Sequence, residues 1–241
     1  MAIDANKLRV NLDVVEERIV KACARAGRQR SEVTLVAVTK TVSTELAALL
    51  PDLGVRDLGE SRSQELWRKA AKLPLGVRWH FIGHLQRNKI ERTLPLVQII
   101  HAVDSVRLLQ ALEQEAARQR RSVSILLEIN ASGEASKQGF GPNELTALRP
   151  SLSELKQVQV CGLMTMAALQ DAEACRPTFA KLRDLRDALR ATLAGSHAVE
   201  HLSMGMSNDF EIAIEEGATL IRLGTVLFDG VLLPFRERGW G

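Results

Sequence analysis

Leu8, Leu12, Val15, Ile19, Ala22 and Ala26 recur at intervals of four and three, which predicts a long amphipathic helix at the start of the chain. The period then changes. Residues 33–38 form a short, β-branched apolar run of the kind buried on both faces of a parallel sheet, and it gives way to Thr39-Lys40. Further short apolar runs follow at 55–59, 78–83, 97–103, 123–130, 158–166, 201–205 and 220–224, so eight strands are predicted. Helical patterns separate them. Ser61-x-x-Gln64 reads as a capping box ahead of Leu66 and Ala70, and Phe179, Leu182, Leu185, Leu189 and Leu193 form an apolar stripe at helical spacing. Strands each followed by a helix or helical turn, with no linker or break in composition, predict one domain over residues 1–241. It is read as a (β/α)8 TIM barrel (31–230) with an extra N-terminal helix (1–30) and a short C-terminal tail (231–241). A doubly wound open sheet is the competing α/β arrangement, and the lack of G-x-G-x-x-G after the first strand speaks against it.

Composition narrows the class. With 46% hydrophobic and 25% charged residues, the chain is neither disordered nor a coiled coil. No apolar run approaches the ~18 residues a membrane helix needs, and the N-terminus lacks a basic segment followed by an apolar one. A soluble, cytoplasmic protein without membrane contact is expected. Three cysteines without C-x-x-C spacing suggest reduced thiols and no structural zinc. The net charge of +3 arises from 32 basic and 29 acidic residues scattered along the chain, so no nucleic-acid partner is expected. Arg118, Arg120 and Arg121, the densest basic cluster, read as a solvated helix end. No exposed apolar stripe announces an oligomer, and a monomer is expected.

In a barrel, chemistry gathers where strands end. Those ends carry Lys40, Glu60, His80 to Gly83, His101 and Asp104, Asn130, Met164 to Met166, Ser203 to Ser207, and Arg222 to Thr225. A lysine closing an apolar strand is expected to be partly desolvated, which favours the neutral amine and a Schiff base with an aldehyde or ketone. Residues 203–207 follow the seventh strand and open a helix capped by Ser207 or Asn208, and residues 222–225 end the eighth. Barrels often bind phosphate with these two loops, and Ser203, Gly224 and Thr225 supply hydroxyls and a closely approachable backbone. Arg222 interrupts an apolar strand, so its guanidinium is expected to point into the mouth or to pair with an acid. A phosphate site, an interior arginine beside it and a Schiff-base lysine together describe pyridoxal 5′-phosphate, and an arginine at the pyridine nitrogen makes the ring a weak electron sink. His80 and His84 stand at a spacing that binds metal on a helix, whereas here a strand ends in glycine, so no metal is expected. His80 is expected in the barrel interior or its outer packing. Gln86, Asn88 and Lys89 are candidates for hydrogen-bonding ligands or their supports.

Several motifs occur in order: 36–40 (VAVTK), Gly59-Glu60 with Gln64-Glu65, 79–86 (WHFIGHLQ) with Asn88-Lys89, Asn130 with Lys137 and Gly139, Gly162-Leu163-Met164, 202–207 (LSMGMS) and 222–225 (RLGT). In these the chain resembles the pyridoxal phosphate homeostasis proteins over nearly its whole length. The resemblance implies a barrel like the N-terminal domain of bacterial alanine racemase, without that enzyme's second domain. It implies Lys40 as the covalent attachment point, Ser203, Gly224 and Thr225 at the phosphate, and Arg222 near the pyridine nitrogen, with His80, Asn88 and Met204 counted among the cofactor-binding residues. The implied role is to buffer or deliver the cofactor in vitamin B6 homeostasis, with apo enzymes as recipients and no turnover. Where the family commonly carries Asn-Tyr after Gly-Glu, this chain has Ser61-Arg62. Tyrosine is absent altogether, which removes the second acid/base of a barrel racemase. The rival readings are a racemase-like enzyme and a barrel aldolase acting on a phosphorylated sugar, which would need the same lysine and loops.

Overall fold

A computed structural model describes residues 3–133, 138–167, 171–193 and 197–232. The elements run in the order α1 (Ala5–Arg25), β1 (Thr34–Val38), α2 (Thr44–Ala47), β2 (Asp57–Glu60), α3 (Ser63–Ala70), β3 (Arg78–Phe81), α4 (Ile90–Thr93), β4 (Val97–Val103), α5 (Val106–Arg118), β5 (Val123–Glu128), α6 (Glu144–Ser153), β6 (Val158–Met164), α7 (Arg176–Thr192), β7 (His201–Ser203), α8 (Phe210–Glu215), β8 (Leu220–Leu223) and α9 (Thr225–Phe228). The strands pair in parallel in sequence order and close through β1 against β8, with Val36 opposite Arg222. This is the expected (β/α)8 barrel with its preceding helix. Among the described residues no helix is long and apolar enough to cross a membrane.

Alternation along the strands divides the core in two. One set of apolar side chains packs outward beneath the helices, among them Ala37, Leu58, Phe81, Ile221 and Leu223. The other, Val36, Ile99, Ala102, Leu126, Met164 and Leu220, fills part of the barrel interior. Polar residues fill the remainder.

Several strands stop short of the runs predicted for them, because the last residues of those runs turn away to form the mouth. β3 ends at Phe81, and a side chain at Gly83 would stand 2.4 Å from the Ser61 carbonyl oxygen, so the two loops pass with no room for a Cβ. That crossing also corrects the expected capping box. Arg62 occupies the N-cap of α3 without a side-chain cap, while Ser61 belongs to the loop packed on Gly83. At α8 the N-cap is Asp209, not Ser207 or Asn208, and its Oδ1 accepts from the Met206 N–H at 2.6 Å. Gly205, at φ +95°, makes this turn possible; a Cβ there would lie 2.6 Å from that of Ala213.

The N-terminal helix lies along the side of the barrel where its ends meet. Arg18 binds Glu211 at 2.6 Å and stacks on the Phe210 ring, and Arg25 binds Glu215 at 2.6 Å. Arg118 ends α5 and pairs with Glu115 and Glu91, as a solvated helix end would. Cys23 and Cys175 are buried, Cys161 is partly so, and all are free thiols. Lys137 and most of the 231–241 tail lie outside the described residues.

Candidate functional site

At the carboxyl end of the barrel a cavity of about 390 Å3 opens between the loops after β1, β2, β3, β6, β7 and β8. Lys40 and Thr41 line it on one side, Ser207, Gly224 and Thr225 on another, with Met166 and Arg222 between. The strand-end lysine and the two loops after strands seven and eight therefore meet in one space.

Lys40 stands two residues beyond β1 and is exposed to the open cavity, which corrects the expected partial desolvation. The turn that presents it is fixed from below. The Thr39 hydroxyl donates to Glu60 Oε1 at 2.8 Å, and Lys69 Nζ donates both to that oxygen at 2.5 Å and to the Thr39 carbonyl at 2.6 Å. Glu60 and Lys69 are both fully buried, and Glu60 Oε2 has no hydrogen-bond partner. A charge pair sealed under the lysine turn is thus part of the site's foundation.

The opposite wall joins two loops: the Val226 N–H donates to Ser207 Oγ at 3.4 Å. Gly224 lies against β1, where an added Cβ would come 3.4 Å from the Val38 carbonyl oxygen, and it brings the backbone ahead of Thr225 to the cavity. Ser203 is placed differently from Thr225. It is fully buried, and its hydroxyl is engaged by Arg222 at 2.5 Å and by His101 Nδ1 at 2.8 Å, so it does not line the cavity. Met204 is fully buried among the apolar residues packed outside the barrel. His80 is buried in the interior, and Asn88 is exposed on the turn at 87–89, away from the lining.

Arg222 is 5% exposed, and its guanidinium donates to two neutral acceptors, Ser203 Oγ and the Thr165 carbonyl. Burial pushes its pKa down to about 10, with Asp209 and Glu128 acting in the opposite direction. Elsewhere around the mouth, burial and the neighbouring Asp104 raise the Glu128 carboxyl, and Asp104 Oδ2 accepts from His84 Nδ1 at 2.8 Å. No group of three or more residues suited to a metal occurs among the described residues.

Residues 10–230 match the model of the alanine racemase N-terminal domain family. The chain is also 43% identical over 219 residues to the pyridoxal phosphate homeostasis protein of Aquifex aeolicus (strain VF5), covering 90% of this chain and 95% of that one. It belongs to the pyridoxal phosphate homeostasis protein family. Another member, from Pseudomonas aeruginosa, is 38% identical over 220 residues, 90% of this chain and 93% of its own. Among solved structures, PipY of Synechococcus elongatus PCC7942 with PLP bound is 36% identical, with a TM-score of 0.77 over 89% of this chain and 99% of that chain.

Missed from sequence were Lys69, Asp57, Glu128 and the lining role of Ser207. Lys69 did leave a signal, since it shares the Leu66 and Leu73 face of its helix at intervals of three and four.

Proposed function

We propose that this chain binds pyridoxal 5′-phosphate at the carboxyl end of its barrel and takes part in the homeostasis of that cofactor, holding it and passing it on. The observation that carries the reading is the meeting of Lys40, Arg222, Ser207, Gly224 and Thr225 around one cavity. When bound, the cofactor supplies an aldehyde that condenses reversibly with amines and a conjugated ring that absorbs visible light. Lys40 Nζ is the amine for the aldehyde carbon. Thr225, Ser207 and the backbone at Gly224 hold the phosphate, and Arg222 faces the pyridine nitrogen. The names of the relatives and the PLP-bound PipY structure support the ligand's identity.

Turnover is not part of the reading. Tyrosine is absent, so racemisation lacks its usual second acid/base, and a cationic arginine beside the pyridine nitrogen opposes the protonation that would make the ring a strong electron sink. A cytoplasmic monomer that hands the cofactor to apo enzymes is the form proposed, and the free thiols agree with a reducing compartment. The test is direct. Purified protein titrated with pyridoxal 5′-phosphate turns yellow, borohydride fixes the adduct on Lys40, and the loaded protein gives no sustained α-proton exchange of L-amino acids in deuterated water. A colourless protein, or an adduct found only on another lysine, removes the site; sustained exchange moves the chain into the enzymes.

The phosphate wall has its own test. Thr225→Ala or Ser207→Ala removes a hydroxyl whose hydrogen bond to a charged group contributes about 1.5–3 kcal/mol, so cofactor affinity falls at least about tenfold. Equilibrium titration followed by absorbance measures it. Unchanged affinity in both variants would place the phosphate elsewhere.

A further inference from the structure

The barrel interior contains a continuous row of polar side chains. Arg222 on β8 meets Ser203 on β7 at 2.5 Å; Ser203 meets His101 Nδ1 on β4 at 2.8 Å; His101 Nε2 meets His80 Nδ1 on β3 at 2.9 Å; and His80 Nε2 meets Asp57 Oδ1 on β2 at 3.0 Å. The row crosses from one side of the barrel to the other. It begins at the cavity that Arg222 lines and ends at Asp57, which lines a second cavity of about 430 Å3 together with Arg30, Val33 and Arg56 near the starts of β1 and β2. Asp57, His80, His101, Ser203 and Arg222 are all buried.

With both imidazoles neutral, the ends leave one arrangement of protons. A guanidinium donates and never accepts, so Ser203 Oγ accepts from Arg222 and must give its own proton to His101 Nδ1. His101 then carries its proton on Nε2 and donates to His80 Nδ1, and His80 carries its own on Nε2 and donates to the Asp57 carboxylate. Ser203, His101 and His80 each give one hydrogen bond along the row and receive one, in one direction, from cation to anion. Hydrogen bonds from Arg78 and His80 outweigh burial and hold Asp57 ionised, with its pKa lowered to about 2. Burial, with the charge of Arg222 adding to it, keeps His101 neutral by lowering its pKa well below the ordinary value. A protonated His101 would reverse the sense of the row, leaving Ser203 between two cationic donors with its own proton unplaced.

We infer that Asp57, His80, His101 and Ser203 are positioning residues for Arg222: their one-way row of hydrogen bonds fixes the guanidinium at the cavity and connects its positive charge to the anion at the far end of the barrel. Among the described residues no carboxylate forms an ion pair with Arg222; Asp209 and Glu128 act on its charge from beyond that distance, and its direct contacts are Ser203 Oγ, the first dipole of the row, and the Thr165 carbonyl. Where the cofactor reading above holds, the row governs how the arginine meets the ring nitrogen.

Two measurements decide it, and they fail separately. In 15N-labelled, unliganded parent protein at neutral pH, two-bond nitrogen–proton correlations of the imidazoles report both His80 and His101 as neutral Nε2–H tautomers, assigned with His80→Gln and His101→Gln. An Nδ1–H tautomer or an imidazolium at either position overturns the row, whatever the protein binds. In protein loaded with pyridoxal 5′-phosphate, His101→Leu and Ser203→Ala move the visible absorption band and weaken retention about tenfold, the loss of one hydrogen bond to a charged group. His101→Gln, which keeps one donor and one acceptor, restores the band toward its parental position. A yellow parent whose band is the same in all three variants sinks the positioning role. A parent that never colours counts against the cofactor instead, and the tautomers still decide the row.

Discussion

Lys40→Ala protein treated with pyridoxal 5′-phosphate and borohydride is expected to carry no fixed adduct in the cavity, a complete loss where the parent gives about one per chain on the proposed reading. Among the described residues Lys40 is the lysine that lines this space. Lys69, beneath the same turn, is fully buried and its ammonium is already committed to Glu60 and the Thr39 carbonyl, so it cannot replace the missing amine without breaking the core. Lys89 is turned toward the ring of Trp67 at 5.7 Å. The phosphate wall of Ser207, Gly224 and Thr225 is untouched by the substitution, so the variant still binds the cofactor, more weakly and without the covalent band. Lys40→Arg, which keeps the charge but forms no such bond, behaves like Lys40→Ala in the mass spectrum and separates covalent attachment from simple attraction. Stoichiometric adduct in either variant would refute the role of Lys40.

The second large effect lies beneath that turn. Lys69→Met is expected to destabilise the fold by about 3–5 kcal/mol, because it removes the ammonium that meets Glu60 Oε1 in a fully buried pair whose Oε2 already has no hydrogen-bond partner. Glu60→Leu together with Lys69→Met removes both charges, and most of the loss is expected to be recovered, since replacing a buried pair by apolar groups of similar size is often neutral or stabilising. Denaturant midpoints for the parent, the single variant and the double variant measure both effects. A single-variant cost below about 1 kcal/mol, within the range of ordinary surface substitutions, would mean that the pair is not sealed from solvent. The same single variant also takes one of two hydrogen bonds from the Thr39 carbonyl, leaving that of the Val42 N–H, so the presentation of Lys40 is expected to loosen with it.

Much of this architecture is legible in the chain itself. Parallel-sheet strands are short and apolar, helices carry their own period, and the two patterns alternate without interruption, so β1 to β8 and the leading helix can be read within a few residues. The positions of Lys40, Arg222, Gly224 and Thr225 at the mouth follow from the rule that strand ends face it. Ser203 and Ser207 show where that rule runs out. Both stand in the same short loop sequence, but a side chain on the last residue of β7 points into the barrel, whereas one beyond the Gly205 turn reaches the cavity, and this difference depends on a backbone turn at φ +95° that composition does not reveal. The interior row is still less visible. It joins Asp57 to His80 and His101 to Ser203 across sequence separations of 23 and 102 residues, and such contacts exist only once the register of every intervening strand is set. Asp57 in particular begins a strand, the end at which a barrel is expected to carry stability and not chemistry.

The seam of the barrel has a consequence for how the protein comes into being. Lys40 leaves the ribosome early, whereas Ser207, Gly224 and Thr225 emerge much later. The wall they form takes its place only when β8 docks on β1, Leu35 opposite Ile221, and when Arg18 and Arg25 clasp Glu211 and Glu215 across sequence separations of 193 and 190 residues. Contacts so distant along the chain are the slow ones to form, because the entropy of closing so long a loop is lost before any of them contributes. A nascent chain that has made seven strands therefore has Lys40 but no enclosure around it. The cavity is a property of the finished circle, and occupancy of it would be a report that the barrel has closed.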